Sequence, residues 1–345
     1  MRRLKRYICL VGLLALLAAA LTGCGFSDDS VEELFTLPRM AEEYTGLTQE
    51  LEALITQGYE YASPTGGRNI QSVQMADLDG DGQQEALAFF RMSSDEKPLK
   101  IFVFKIEGDS YARYCTIESS GTAIDSVYYQ DLNGDGRREL IVGWRISAEV
   151  QTVAVYTVAR EPVALMSSGY TRFTIQDLNG DGIPSLLVLR TDADSQPVAE
   201  FYGWQDEQMG VAYRCVLSST MASVNRGSLV SGRLDADTPA LYITGVDEQG
   251  MAATDILVFR QDLGLVNLAL SGSSTGVSNA VFPYRQLLPQ DINGDGIIEL
   301  PSPDTSWTAE QTDGLVSWLC CNGDGQLATV AKTYHSLSLS LIHIS

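Results

Sequence analysis

The chain has 345 residues, and 44 acidic against 23 basic residues give it a formal net charge of −21. A surface of that sign repels phosphate groups, so nucleic acid is not an expected partner. Only 2 histidines occur, and no nucleotide-binding glycine loop or hydrolase nucleophile elbow is present, which argues against those classes of enzyme.

The N-terminus predicts a secreted protein that is anchored by a lipid. Basic residues within 2–6 precede an apolar run over 7–21, which is shorter than a membrane-spanning helix. The run leads into Leu-Thr-Gly-Cys, ending at Cys24, which resembles a bacterial lipobox. Residues 1–23 are therefore predicted to be a lipoprotein signal peptide, and a lipid on Cys24 would hold the protein at the outer face of the bacterial cytoplasmic membrane. An ordinary signal peptide is the alternative.

A short helix is predicted after this leader. Residues 24–37 are mostly polar and are predicted to be a tether. Within 38–68, apolar residues recur at helical spacing and predict a helix over about 39–57, between Pro38 and Gly58. The apolar stripe consists of Met40, Tyr44, Leu47, Leu51, Leu54 and Ile55. We expect the stripe to dock on the following domain, and binding of a partner is the alternative.

An acidic motif, Asp-x-Asp/Asn-Gly-Asp-Gly, starts at Asp77, Asp131, Asp177 and Asp291. Side-chain oxygens at positions 1, 3, 5 and 9 and the carbonyl of position 7 suit Ca²⁺, which takes about 6–8 oxygen ligands. Glycines at positions 4 and 6 permit the positive φ of a tight curl. Ser185 replaces the ninth-position glutamate in the third copy, so the third site is expected to be weaker. The predicted Ca²⁺ ligands are Asp77, Asp79, Asp81, Gln83, Glu85, Asp131, Asn133, Asp135, Arg137, Glu139, Asp177, Asn179, Asp181, Ile183, Asp291, Asn293, Asp295, Ile297 and Glu299.

The motif is part of a longer repeat. The first aspartates lie 54, 46 and 114 residues apart, and the last gap is close to twice the others. A degenerate copy is therefore predicted over 232–243, where the strand-like residues persist without the glycines and metal binding is not expected. Periods near fifty residues are typical of propellers and solenoids.

Each repeat also predicts four strands. Aromatic and β-branched runs in the first repeat cover 72–76, 86–90, 99–105 and 111–117, and the acidic loop joins the first strand to the second. The predicted fold is all-β, with residues 69–336 forming a β-propeller of about five four-stranded blades after the short helix.

On these loops and their repetition, the chain resembles the FG-GAP/VCBS repeat superfamily over about residues 70–335. Its members carry Asp-x-Asp/Asn-x-Asp-Gly-x-x-Asp/Glu calcium loops, as integrin α-subunit propellers also do. The resemblance implies a propeller fold and Ca²⁺ binding. It leaves the ligand open, because such propellers serve adhesion, ligand binding and structural roles.

The cysteines predict free thiols. Cys9 lies in the predicted signal peptide. Cys115 and Cys215 each follow the first aspartate of their loop by 38 residues, so they take the same place in non-adjacent repeats and are expected to be buried thiols without a disulfide. The adjacent Cys320 and Cys321 should face opposite sides of a strand.

The end of the chain departs from the repeat pattern. Residues 322–325 read Asn-Gly-Asp-Gly but lack the first acid of the motif, and they predict a hairpin turn rather than a metal loop. Residues 337–345 continue no pattern and resemble the translation of a sequencing adapter. We expect a non-native tail there, with an unusual native end as the alternative.

These features together predict a lipid-anchored, calcium-binding surface protein that is not an enzyme and binds a protein or glycan ligand. One alternative is an enzyme or accessory protein that acts on polysaccharide through carboxylates outside the calcium loops, such as Asp206, Glu207 or Asp262. Another is a purely structural component of the cell envelope.

Overall fold

The computed structural model describes residues 44–205, 207–250, 252–268, 270–271, 287–303, 313–336 and 342–344. The predicted signal peptide, the lipidation site Cys24, the tether and the first part of the predicted helix lie outside these residues. The chain divides into two compact units, Met1–Thr45 and Gly46–Ser345, and the second unit contains the fold. Strands dominate the regular secondary structure of its described residues, and these strands form five antiparallel sheets.

The sheets follow one another along the chain, and their strands are also numbered in chain order. Sheet I contains β1 (Glu60–Tyr61), β2 (Val73–Ala76), β3 (Glu85–Arg91), β4 (Leu99–Glu107) and β5 (Ser110–Ser119). Sheet II contains β6 (Ala123–Gln130), β7 (Glu139–Arg145), β8 (Gln151–Tyr156) and β9 (Ala164–Gly169). Sheet III contains β10 (Arg172–Gln176), β11 (Ser185–Thr191), β12 (Pro197–Gln205) and β13 (Gln208–Val216).

The last two sheets follow the same plan. Sheet IV contains β14 (Leu229–Arg233), β15 (Pro239–Val246), β16 (Ala252–Arg260), β17 (Gly264–Asn267) and β18 (Leu270–Ser271). Sheet V contains β19 (Leu300–Pro303), β20 (Asp313–Cys321), β21 (Leu327–Ser336) and β22 (Ile342–Ile344). Two α-helices occur among the described residues, α1 (Thr45–Thr56) and α2 (Met221–Val224), and neither is long and apolar enough to span a bilayer.

Antiparallel units of four or five strands therefore occur where the repeat predicts them, including the degenerate repeat at 232–243, which forms the β14–β15 hairpin. Sheet V differs at its start, where the strand before the acidic loop is reduced to an isolated bridge between Gln290 and Glu299. Its fourth strand, β22, lies within the segment predicted to be a non-native tail and pairs with β21. The turn at 322–325 joins β20 to β21, as predicted.

The core is built from strands that are buried on both faces. In β11, Leu186 and Val188 pack in a cluster with Ile141 of sheet II, whereas Leu187 packs in a different cluster with Leu241 of sheet IV. Alternate residues of a strand point to opposite faces, so one apolar run serves two neighbouring interfaces. Similar clusters join sheet I to sheet II and sheet IV to sheet V. Consecutive sheets thus pack face to face in chain order.

Helix α1 buries one side, as its apolar spacing predicts. Leu47, Leu51 and Leu54 are buried, and a Cβ on Gly46 would lie 1.9 Å from the Ser110 Oγ atom in the β4–β5 hairpin. The inclusion of Ile55 in the stripe was wrong, because its side chain is 47% exposed. The helix stops before Gly58, whose φ of 97° is the left-handed conformation that commonly ends helices.

The four cysteines in the described residues are free thiols, as predicted for Cys115 and Cys215; Cys115 is buried as expected, whereas Cys215 is only half-buried. Burial raises the pKa of both Cys115 and Cys215 to about 12, so these thiols stay neutral and unreactive near neutral pH. On β20, Cys321 is buried and Cys320 is half-buried, in agreement with the prediction that they face opposite sides.

Candidate metal centres

The four acidic loops are termed L1 (77–85), L2 (131–139), L3 (177–185) and L5 (291–299), after the sheets in which they lie. L1, L2 and L3 each connect the first two long strands of their sheet, as predicted. The glycines at positions 4 and 6 all have positive φ, between 74° and 89°. A residue with a Cβ is strained in this region, so the glycines are required for the curl.

The first aspartate of each loop organises the curl. Its Oδ1 accepts a hydrogen bond from the N–H of the glycine at position 4, at 2.6–2.8 Å, and its Oδ2 accepts one from the glycine at position 6, at 2.8–3.2 Å. The aspartate at position 5 accepts the N–H of position 7 at 2.8 Å in every loop. These bonds hold the carboxylates of positions 1 and 5 in fixed orientations on the same short loop.

The ninth-position glutamates reach into the protein interior. Glu85, Glu139 and Glu299 are almost completely buried, and one oxygen of each accepts the N–H of loop position 2, at 2.7, 2.8 and 3.0 Å. Loss of hydration on burial raises the pKa of all three carboxyl groups, and the neighbouring loop aspartates add to the rise. Buried carboxylates next to other carboxylates are suited to a site that binds a cation.

Position 3 supplies a test of whether a hard cation fits. Asp79 Oδ1 and Asn179 Oδ1 are buried acceptors without a hydrogen-bond partner. Buried polar atoms nearly always have a partner, and a metal ion would satisfy these two oxygens. In L1, ligand oxygens of Asp77, Asp79 and Glu85 lie within 4.8 Å of one another. These residues therefore form clusters that suit a cation, either a metal ion or a positively charged side chain. L3 offers one carboxylate fewer than L2 and L5, because Ser185 stands at position 9.

The loops of neighbouring sheets contact one another. Arg138 in L2 donates its N–H to the Leu78 carbonyl in L1 at 2.7 Å, and a Cβ on Gly80 would lie 2.6 Å from the Gly136 carbonyl oxygen. A Cβ on Gly134 in L2 would similarly lie 2.7 Å from Ile183 Cδ1 in L3. L1 and L2 therefore meet through their backbones, and L2 meets L3 through the Ile183 side chain.

The degenerate repeat lacks this geometry. Between the paired residues Arg233 and Pro239 the loop has room for only residues 234–238, whereas L3 spans 177–184 between Gln176 and Ser185. Asp235 accepts the N–H groups of two following residues in the shorter turn, at 3.1 and 2.9 Å. This loop is thus three residues shorter than L3 and lacks its glycines.

Lys105 is a site residue that sequence reasoning missed. Its ammonium group contacts Asp79 Oδ2 and lies 3.9 Å from Asp81 Oδ2 and 3.8 Å from Glu85 Oε1. Burial tends to raise the pKa of Asp79, but the hydrogen bond and charge of Lys105 outweigh it and lower that pKa below its usual range. Arg137 of L2 contributes in the same direction. L1 thus differs from the other loops in its charge balance.

A cavity of about 810 Å³ lies beside L2 and L3. Its polar lining includes Asn133, Asp135, Glu139, Asn179 and Asp181 of the loops, and its apolar lining includes Val163, Leu165, Trp204 and Met209 of sheets II and III. Trp204 is fixed by a hydrogen bond from its indole Nε1 to the Leu132 carbonyl at 2.7 Å. The sequence gives no sign of this cavity, because residues from two sheets must meet to form it.

The three acids considered for an enzyme are not brought together as a set. Glu207 lines the cavity, while Asp262 is not among its lining residues and Asp206 lies outside the described residues. Glu207 has a φ of 62°, which belongs to the tight turn between β12 and β13. These positions alone define no catalytic pair.

No family model and no curated protein matches the chain. Among solved structures, it is similar to the rhamnogalacturonan lyase PL11 of Bacillus licheniformis, with a TM-score of 0.39 and 17% identity over 78% of this chain and 50% of that one. It is also similar to the exotype rhamnogalacturonan lyase YesX, with a TM-score of 0.35 and 14% identity over 79% of this chain and 65% of that one.

A third similar structure is a hypothetical protein from Leishmania major, with a TM-score of 0.27 and 12% identity over 85% of this chain and 92% of that one. The chain spans about half the length of the first lyase. Likeness at these scores says nothing about the activity of this chain.

Proposed function

We propose that this protein is a calcium-stabilised β-propeller that is anchored through Cys24 at the outer face of a bacterial cytoplasmic membrane and binds a glycan without cleaving it. The observation that carries the proposal is the position of the cavity beside L2 and L3, where the buried Glu139 carboxylate, the exposed carboxylates of Asp135 and Asp181 and an unpartnered amide oxygen meet an apolar wall. L2 and L3 would then both stabilise the propeller and form part of the glycan site.

The propeller arrangement is supported by the order of packing. Every sheet packs on the next one in the chain, and β11 is apolar on both faces because it serves two interfaces. Antiparallel four-stranded units in that arrangement are the blades of a propeller, and the FG-GAP/VCBS resemblance points the same way. The contacts between L1 and L2 and between L2 and L3 are those expected of equivalent loops at one face of such a ring.

Ca²⁺ is proposed for L2, L3 and L5. The loop residues that would hold it are the side-chain oxygens at positions 1, 3, 5 and 9 and the carbonyl of position 7. When bound, Ca²⁺ supplies the positive charge that the clustered carboxylates otherwise lack. Oxygen-only ligands and a flexible loop favour Ca²⁺ over Zn²⁺, which takes nitrogen and sulphur ligands, and over Mg²⁺, which demands a stricter geometry.

A glycan fits the cavity better than a protein surface does. The volume lies within the range of about 300–1,000 Å³ that is usual for small-molecule sites, and a concave site of this size takes a compact ligand. Sugar rings have polar hydroxyl edges and less polar faces, which match loop oxygens on one side and Trp204 with Met209 on the other. The Arg137 and Arg138 side chains add hydrogen-bond donors to the polar side.

Replacing Trp204 tests this ligand site. We expect Trp204→Ala to weaken glycan binding about 30-fold, or roughly 2 kcal/mol, which is typical for loss of a central aromatic contact. Trp204→Phe keeps an aromatic face and should retain most of the affinity. Ligands would be found by screening a glycan array with the full-length protein at millimolar Ca²⁺, and affinities measured by calorimetry.

Tyr61 offers a matched control, because it is an exposed aromatic residue that stacks on Phe90 in sheet I, outside the cavity lining. Tyr61→Ala should leave glycan affinity unchanged. Equal affinities for wild type and Trp204→Ala would place the ligand elsewhere.

One observation favours the enzymatic alternative. Glu207, one of the acids outside the calcium loops, lines the cavity together with the buried Glu139 of L2. Under our proposal, any glycan that binds is recovered intact after prolonged incubation. Cleavage products that disappear with Glu207→Gln would instead make the protein a carboxylate-dependent enzyme.

A further inference from the structure

We propose that Lys105 is a built-in cation for L1, and that its ammonium group takes the place that Ca²⁺ takes in L2, L3 and L5. L1 would then be closed without metal, and the protein would bind three calcium ions where the motif predicts four. This inference rests on the proposed function, because it concerns which of the similar loops are calcium sites.

The geometry places the ammonium group among three ligand positions at once. Lys105 Nζ contacts Asp79 at position 3 and lies within 4.0 Å of Asp81 at position 5 and Glu85 at position 9. Its side chain is 22% exposed, and that of Glu85 is 3% exposed, so the group is well shielded from solvent. A surface ion pair has one partner and full hydration, whereas this lysine is enclosed by the residues that would ligate the metal.

Strand register shows why only L1 has such a residue. Ala86 pairs with Phe104 between β3 and β4, so the next residue, Lys105, lies opposite Glu85 at loop position 9. The same register places Thr157, Gly203 and Cys320 at the equivalent positions facing L2, L3 and L5. None of these three residues has a positively charged side chain. The loops thus differ at one position, which lies on or directly beside the second strand after each loop (β4, β8, β12 and β20).

The positive charge already present at L1 opposes a second cation. The Lys105 ammonium group forms ion pairs with Asp79, Asp81 and Glu85 and offsets part of their negative charge. A divalent cation that entered L1 would meet this fixed positive charge and also Arg137 of L2, whose charge acts on Asp79. Like charges in such proximity oppose binding.

An L1 that is ordered without metal would also stabilise L2. The Leu78 carbonyl in L1 accepts the N–H of Arg138 in L2 at 2.7 Å. An L1 that keeps its shape at low calcium would hold this part of L2 in place. L1 contacts L2, and L2 contacts L3. L1 would therefore be ordered before calcium binds to the other two loops.

Calcium titration of the full-length protein by calorimetry tests the inference. We expect three binding events in the wild type, with no event lost in Asp77→Ala. Lys105→Met should gain one event, and the double variant Lys105→Met/Asp77→Ala should lose it again. Lys100→Met is the matched control, because Lys100 lies on the same strand and pairs with Asp95 and Glu118, which are not loop residues.

A second measurement uses the unmodified protein and covers the case in which Lys105→Met does not fold. Acetylation by acetic anhydride, followed by mass spectrometry, reports how accessible each ammonium group is. Lys105 should react at least about 10-fold more slowly than the exposed Lys97, with the same rate in calcium and in chelator. A rate that rises in calcium would mean that the metal displaces the lysine.

The outcomes separate this inference from the calcium proposal. Loss of an event in Asp77→Ala, or no gain in Lys105→Met while the wild type binds calcium, overturns the role of Lys105 and leaves calcium in the other loops intact. Absence of binding in the wild type together with a gained event in Lys105→Met overturns the calcium proposal for L2, L3 and L5 and keeps the role of Lys105. Absence of binding in both proteins overturns both.

Discussion

Removing calcium is expected to lower the melting temperature by about 8–16 °C. If free calcium stands at about ten times the dissociation constant, each occupied site stabilises the folded state by roughly 1.4 kcal/mol. Three sites in L2, L3 and L5 then contribute about 4 kcal/mol, and each kcal/mol shifts the midpoint of a domain of this size by about 2–4 °C. The physical origin is repulsion between carboxylates. The buried glutamates at position 9 of L2 and L5 lie near the aspartates at positions 1 and 5, whose charges oppose theirs when no cation is bound.

Differential scanning calorimetry in calcium, magnesium and chelator measures this effect. Asp131→Ala, Asp177→Ala and Asp291→Ala should each remove part of the calcium-dependent shift, and Asp177→Ala should remove least, because Ser185 leaves L3 one carboxylate short. Asp194→Ala is a control for charge, since Asp194 is exposed and lies outside the loops. Identical midpoints in calcium and chelator would mean that the loops are turns and that calcium has no role in stability.

Local chemistry explains which features could be read from the sequence. The acidic loops are defined within nine residues, and their glycines adopt positive φ because no other residue does so without strain. Strand positions follow from apolar runs and turn residues, so β3, β4 and β5 lie where the pattern predicts them. Spacing and the strand-like residues at 232–243 together predict the degenerate repeat, because each repeat must supply one packed sheet whether or not it binds metal.

Features that depend on register or on contacts between sheets could not be read in this way. Lys105 lies 20 residues after Glu85 in the chain, and only the pairing of β3 with β4 places the two side chains together. The cavity needs L2, L3 and Trp204 to meet, which no single repeat encodes. Ile55 was assigned to the buried stripe of α1 because spacing alone does not show how far the packed face of a helix extends.

Asp255 is expected to be essential for the stability of the connection between sheets III and IV. Its carboxylate on β16 is completely buried and accepts N–H groups from Ser218 at 2.7 Å and Ser219 at 3.0 Å. It also accepts a hydrogen bond from Asn267 Nδ2 at 2.8 Å, and the same amide group donates to the Val216 carbonyl at 2.9 Å. One side chain thus holds the segment that leaves sheet III against the strands of sheet IV.

Asp255→Ala should lower the free energy of unfolding by about 3–5 kcal/mol, because three donors lose their acceptor and each unsatisfied buried donor costs roughly 1–3 kcal/mol. Urea unfolding at saturating calcium measures the loss. Asp255→Asn keeps one carbonyl acceptor and should lose clearly less, while the exposed Asp194→Ala should stay within about 0.5 kcal/mol of wild type.

The loss of stability on calcium removal and the loss caused by Asp255→Ala should be independent of each other. Asp255 belongs to no acidic loop, so Asp255→Ala should leave calcium stoichiometry unchanged, and its cost should add to that of calcium removal if the sites are independent. A cost below about 1 kcal/mol for Asp255→Ala would mean that water or a rearranged Asn267 replaces the carboxylate. A loss of calcium binding in this variant would instead mean that the sheet III–IV connection and the metal loops unfold as one unit, because the packing of consecutive sheets then couples them.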